Sequence, residues 1–211
     1  MKKKDQAYKG SRLEEIVLRY ESALQEGRSE YFDVDDIEAL IDYYMEDEQV
    51  ATAQTITEFG LSLHPNNTNL KIAQAKIDLF IGHVKESEEI AAFLQTLEPD
   101  NLDIKVLVGQ LLLFRGKKEE AKALFNGIMK NADICGKWLS GALGSGHLDS
   151  QYTNILMSEY MRVTQVMESV EEIMQNAGLA VDDAYKGISQ QHMNALNMHY
   201  VQMQERQKAV D

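Results

Sequence analysis

The chain has 211 residues, 44% of them apolar, with two prolines, one cysteine and a formal net charge of −13. That charge argues against nucleic acid, which needs clustered Lys and Arg to displace counterions, and against an anionic membrane surface. The lone Cys135 excludes an internal disulfide and suits a reducing compartment, and no run approaches the eighteen apolar residues of a membrane span.

Length and apolar content suffice for a sizeable core, and the dominance of helix formers predicts an all-α protein. Residues 1–10 read as a polar, basic tail with no apolar stretch behind it, so no signal peptide is expected and a cytoplasmic setting is. A capping helix follows: Ser11 and Glu14 form a capping box, Leu13, Ile16, Val17, Tyr20 and Leu24 share a face, and Gly27 is the stop. Tail and cap together make up 1–33. From Ser29 to Leu70 there are ten Asp or Glu residues and no Lys or Arg. Asp33-Val34-Asp35-Asp36 is not a calcium loop, because Glu38 and Tyr44 stand where the glycine and closing glutamate belong. Acidic residues at a helix N-terminus explain the cluster, and their one-sided charge suits a basic partner.

An internal period organises residues 34–135. Pro65 and Pro99 lie 34 residues apart, and the same shift places Gly82 on Gly116, Ala75 on Gly109, and Ala53 on Ser87 on Ala121. With Phe125 four positions after Ala121, this pattern resembles tetratricopeptide repeats, in which each unit is a pair of antiparallel helices. The first unit departs from the pattern at Glu48, where a turn glycine is usual, and at Ile41, where a small residue is. The resemblance implies a short solenoid of three 34-residue helical hairpins with a concave groove lined by the first helix of each. Carried over position by position, it places Asp35, Glu38, Asp42, Met45 and Glu46 on that wall from the first unit. Asn69, Ile72, Lys76, Leu79 and Phe80 come from the second, and Asp103, Val106, Gln110, Leu113 and Phe114 from the third. Members that clamp a terminal carboxylate use Lys and Asn where Glu38 and Asp42 stand, so that use is not expected.

Gly136, Gly141, Gly144 and Gly146 crowd residues 136–150, which read as a short helix and flexible linker. Beyond it, 151–211 reads as a C-terminal helical hairpin. Leu156, Glu159, Val163, Val166, Val170, Ile173 and Ala177 form a heptad-like seam, Asn176-Ala177-Gly178 a stop and Asp182-Asp183 a restart. Tyr185, Ile188, Met193, Leu196, Tyr200 and Met203 form the apolar side of the last helix. Seven of the ten methionines fall between Met157 and Met203, which suits packing on the last repeat, self-association into a homo-oligomer, or an adaptable partner surface.

Catalytic chemistry is not expected. His64, His83, His147, His192 and His199 are scattered, and His192 and His199 stand two turns apart, too far to share a metal by themselves. Cys135 has no nameable base, and Gly141–Gly146 lacks the Gly-Lys-Ser/Thr ending of a phosphate loop. No cofactor or metal follows from these residues. The reading is a non-enzymatic interaction module whose groove takes a protein or peptide with basic and apolar residues. The alternative is a chaperone that wraps a secreted or assembled client protein.

Overall fold

The computed structural model describes residues 2–28, 30–145 and 150–210, with side chains over 12–28, 30–145 and 151–205. Every regular element among them is helical, and the chain divides into two compact units, 1–96 and 97–211.

The first unit holds α1 (Lys2–Glu26), α2 (Val34–Glu46), α3 (Val50–Leu63), α4 (Thr68–Phe80) and most of α5 (Val84–Leu97). α1 runs through Ser11 rather than starting there, so the expected tail is helical and the expected capping box lies inside the helix. Gly27 ends it in a left-handed conformation, with Arg28 N–H donating to the Ala23 carbonyl at 2.9 Å. Ile16, Val17 and Tyr20 of α1 enter a core with Phe32, Ile37, Leu40 and Tyr44, whereas Leu24 is exposed. Arg19 fixes α1 to α2: its guanidinium lies 4.8 Å from the Phe32 ring centroid and donates to Asp36 at 3.3 Å and Glu30 at 2.9 Å.

The second unit holds α6 (Leu102–Phe114), α7 (Lys118–Gly144), α8 (Ser150–Asn176), a 3₁₀ turn (Asp183–Tyr185) and α9 (Ile188–Val210). Residues 136–144, expected as a short helix and linker, continue α7 as one helix; of the Gly144-Ser145-Gly146 joint, Gly146 lies outside the described residues. α8 packs on α7 and α6, and its seam residues Val163, Val166 and Val170 are buried with Phe125 and Met129. Met157, Met167 and Met174 are also core, whereas Met161 and Met198 are exposed, so three of the seven methionines counted there pack in the interior. Gly178 stops α8 with φ +68°, as expected, and Asp182 caps the 3₁₀ turn rather than α9 itself.

Local chemistry recurs along the chain. Asp33, Asn67 and Asn101 cap α2, α4 and α6, their side chains accepting from the N–H groups of Asp36, Leu70 and Ile104. Each of these helices then turns through a left-handed residue: Glu48 (φ 59°), Gly82 (φ 89°) and Gly116 (φ 73°). The same closing bond follows in each case, from Gln49 to Tyr44, His83 to Asp78 and Lys117 to Leu112, at 2.8, 2.7 and 2.9 Å. Glu48 takes a conformation that side chains with a Cβ pay for sterically. Glu48→Gly is therefore expected to raise the unfolding free energy of the first unit by about 1 kcal/mol, read from urea melts, because relieved strain exceeds the added chain entropy.

Candidate functional site

The residues expected on the groove separate into two sets. In the first unit, α2 presents Asp35, Asp42 and Glu46 to solvent, with Glu38 and Met45 half-buried beside them. α4, packed against α2, presents Asn69, Lys76 and Phe80, with Leu79 half-buried. Ile72 departs from the expectation: it is 4% exposed and belongs to the interior rather than to a binding wall. Desolvation by the surrounding protein pushes the Asp42 carboxyl up, the Lys76 charge opposes this and Glu46 reinforces it. Asp42 nonetheless keeps an exposed surface. Asp33 and Asp36, by contrast, are structural. The first caps α2, and the second is 7% exposed and held by Arg12 and Arg19, both at 3.3 Å.

In the second unit the chain covers its own expected wall. Asp103 accepts from Arg162 of α8 at 2.9 Å, and Arg162 also pairs with Glu159 at 2.8 Å. Val106 is 3% exposed within the core shared with α8, and Leu113 packs against that core. Gln110 keeps its Oε1 buried and without a hydrogen-bond partner. Only Phe114, at the end of α6, remains open. The C-terminal hairpin thus lies on the α6–α7 pair, and the α6 residues are not available as they stand.

The structure also assembles a polar chain that sequence reasoning missed. Asp133 accepts from Lys137 at 2.7 Å and, through its other oxygen, meets His192 Nε2 at 3.1 Å. His192 Nδ1 meets the Tyr160 hydroxyl at 2.8 Å, and Ser140 meets His199 Nε2 at 2.9 Å. A carboxylate only accepts, so Nε2 carries a proton and in the neutral tautomer Nδ1 accepts from Tyr160. Burial pushes the Asp133 carboxyl up, but the hydrogen bonds from Lys137 and His192 and their charges outweigh it, leaving it below its ordinary value. The Tyr160 phenol is pushed up, mainly by burial, with Ser140 opposing and the Asp133 charge adding.

His192 is 6% exposed and Tyr160 fully buried, so this pair is closed to solvent and fastens α9 to α7 and α8. The glycines make this possible. A Cβ on Gly136 would stand 2.6 Å from His192 Cε1, so the ring lies directly on the α7 backbone. The usable signal was the seven-residue spacing of His192 and His199 set against helix-compatible glycines eight apart at Gly136 and Gly144. Cys135 is half-buried; burial raises its thiol further, Glu159 adds to this and Arg162 opposes, which leaves a poor nucleophile. Among the described residues no group of three or more His, Cys, Asp and Glu could hold a metal, and no helix is long and apolar enough to cross a membrane.

Comparison with family models, curated proteins and solved structures returned no match.

Two expectations follow from the polar chain. Gly136→Ala costs about 1–3 kcal/mol through overpacking, with the loss concentrated in hydrogen-exchange protection of the α9 amides. Because Asp133 titrates lower when folded, its ionised form stabilises the fold above the ordinary carboxylate range, and that contribution is lost as pH falls through the lowered value. Asp133→Asn is accordingly expected to flatten the acid limb of the stability–pH curve below about pH 4, measured by chemical denaturation.

Proposed function

We propose that the chain is a non-enzymatic protein-interaction module built on three tetratricopeptide-like hairpins of 34 residues. It takes a partner segment with basic and apolar residues on the α2–α4 face of its first unit. The observation that carries this reading is the exposure of Asp35 and Asp42 on α2 beside Asn69 and Lys76 on α4, in a stretch of ten acids with no cation between Ser29 and Leu70. Acids outnumber Lys76 on this face, and such an excess attracts cationic segments and repels polyanions. The half-buried Met45 and Leu79 supply apolar contact next to the charges. The 34-residue recurrence of caps, left-handed turns and small buried residues supports the repeat assignment. In each unit the first helix is the one with a surface left for a ligand until a following helix covers it. A lone, unpaired cysteine suits a cytoplasmic setting.

The test is binding of a fluorescent amphipathic peptide of lysine and leucine, compared with a glutamate–leucine counterpart. The lysine peptide is expected to bind, with affinity falling as salt rises, and Asp35→Lys with Asp42→Lys is expected to weaken it by about tenfold or more. Equal binding of both peptides, or affinity unchanged by the double reversal, overturns the reading.

A further inference from the structure

α7 turns one face away from the core of the second unit, and that face is part apolar and part cationic. Lys130, Ile134, Lys137 and Trp138 follow one another along it at helical spacing, and all four are exposed. Ile134 is 58% and Trp138, the one tryptophan of the chain, 66% exposed. Two large apolar side chains in solvent on one helix face mark a surface that burial against a partner would stabilise. The charge here runs against that of the whole protein. From Ala121 to the end of α7 the charged residues are Lys122, Lys130, Asp133 and Lys137, and Asp133 is buried. Lys137 holds Asp133 at 2.7 Å yet keeps most of its side chain in solvent, and an ammonium has three donors.

The partner chemistry expected at the α2–α4 face, basic with apolar residues, is therefore present on the chain itself. The spacing also agrees. Lys130 and Lys137 stand seven residues apart on α7, as Asp35 and Asp42 do on α2, about 10 Å in each helix. Ile134 lies between the two lysines, and half-buried Ala39 holds the same place between the two acids. We infer that α7 of one copy docks on the α2–α4 face of a second copy of this chain. Lys130 and Lys137 pair there with Asp35 and Asp42, and Ile134 and Trp138 are covered. Exposed ion pairs contribute little each, so they set register and salt dependence while the two apolar side chains carry the affinity. A contact between two different surfaces is heterologous and adds copies head to tail. Docking of this kind rests on the α2–α4 face being a binding surface, as proposed above, and names its occupant.

The experiment follows the full chain by sedimentation velocity and tryptophan emission over about a hundredfold range of concentration. Mass is expected to rise with concentration while Trp138 emission shifts to shorter wavelength, both reversed by added salt. Asp35→Lys with Asp42→Lys removes the acidic surface, and Lys130→Gln with Trp138→Gln removes the α7 surface. All four positions are exposed, so both variants are expected to fold. Each variant alone is expected to associate at least about tenfold more weakly than the unmodified chain. Mixed in equal amounts, the first supplies an intact α7 face and the second an intact acidic face. A dimer of one copy of each is then expected to return, with the emission shift of Trp138. The inference is overturned if the unmodified chain stays monomeric throughout the range, or if either variant associates as the unmodified chain does. A mixture that returns no dimer, the result expected where like faces meet, overturns it equally. A monomeric chain that still binds the lysine–leucine peptide overturns the self-contact alone; loss of peptide binding as well overturns the reading of the α2–α4 face.

Discussion

The constraint on which the hairpins depend is the single left-handed residue that ends α2, α4 and α6. With φ positive at Glu48, Gly82 and Gly116, the next N–H reaches back to close the helix, and the chain reverses within a few residues. So short a connection obliges the following helix to lie antiparallel against the first. Small residues at the contact then set how close it comes. Ala53, Ser87 and Ala121 are fully buried, and Ser87 donates to the Ala75 carbonyl at 2.7 Å across the α4–α5 pair. In the second unit a Cβ on Gly109 would stand 2.4 Å from Phe125 Cε1, so the ring lies on the backbone of α6. Local backbone geometry thus comes before packing, and packing before any surface.

How the surfaces come to differ follows from what each first helix meets next. α2 and α4 contact each other over part of their length and leave Asp35, Asp42, Asn69 and Lys76 in solvent, while Ile72 is buried. α6 meets α8, a helix of 27 residues with a full apolar seam, and loses its equivalent positions to the core and to the Arg162 pair. That pair is part-exposed and contributes little by itself; Val106, Val163 and Val166 hold the contact.

Much of this was legible in the sequence where chemistry is local. The helix start in the acidic cluster at Asp33, the stop at Gly27, the stop at Gly178 and the all-helical character follow from residue type and spacing, because they depend on near neighbours in the chain; the capping box expected at Ser11 does not hold, since α1 runs through it. Non-local packing was not legible. Glycine has two uses, freedom at a turn and absence of a side chain, and a sequence does not say which applies. At Gly82 and Gly116 it is the first; at Gly136, under His192, it is the second, and the glycines read as ending a short helix in a linker lie within a continuous one. The burial of Ile72 and Val106 was hidden for a related reason: their place on the helix is periodic, but what covers them is decided by a neighbouring helix.

The continuity of α7 has a mechanical side. Its 27 residues make a rod of about 40 Å that begins in the α6–α7 hairpin and ends beside α9. Phe125 and Met129 near one end and Leu139 and Leu143 near the other belong to one core. α8 and α9 both pack along it. One helix therefore carries core residues that meet both the α6 hairpin and the C-terminal pair.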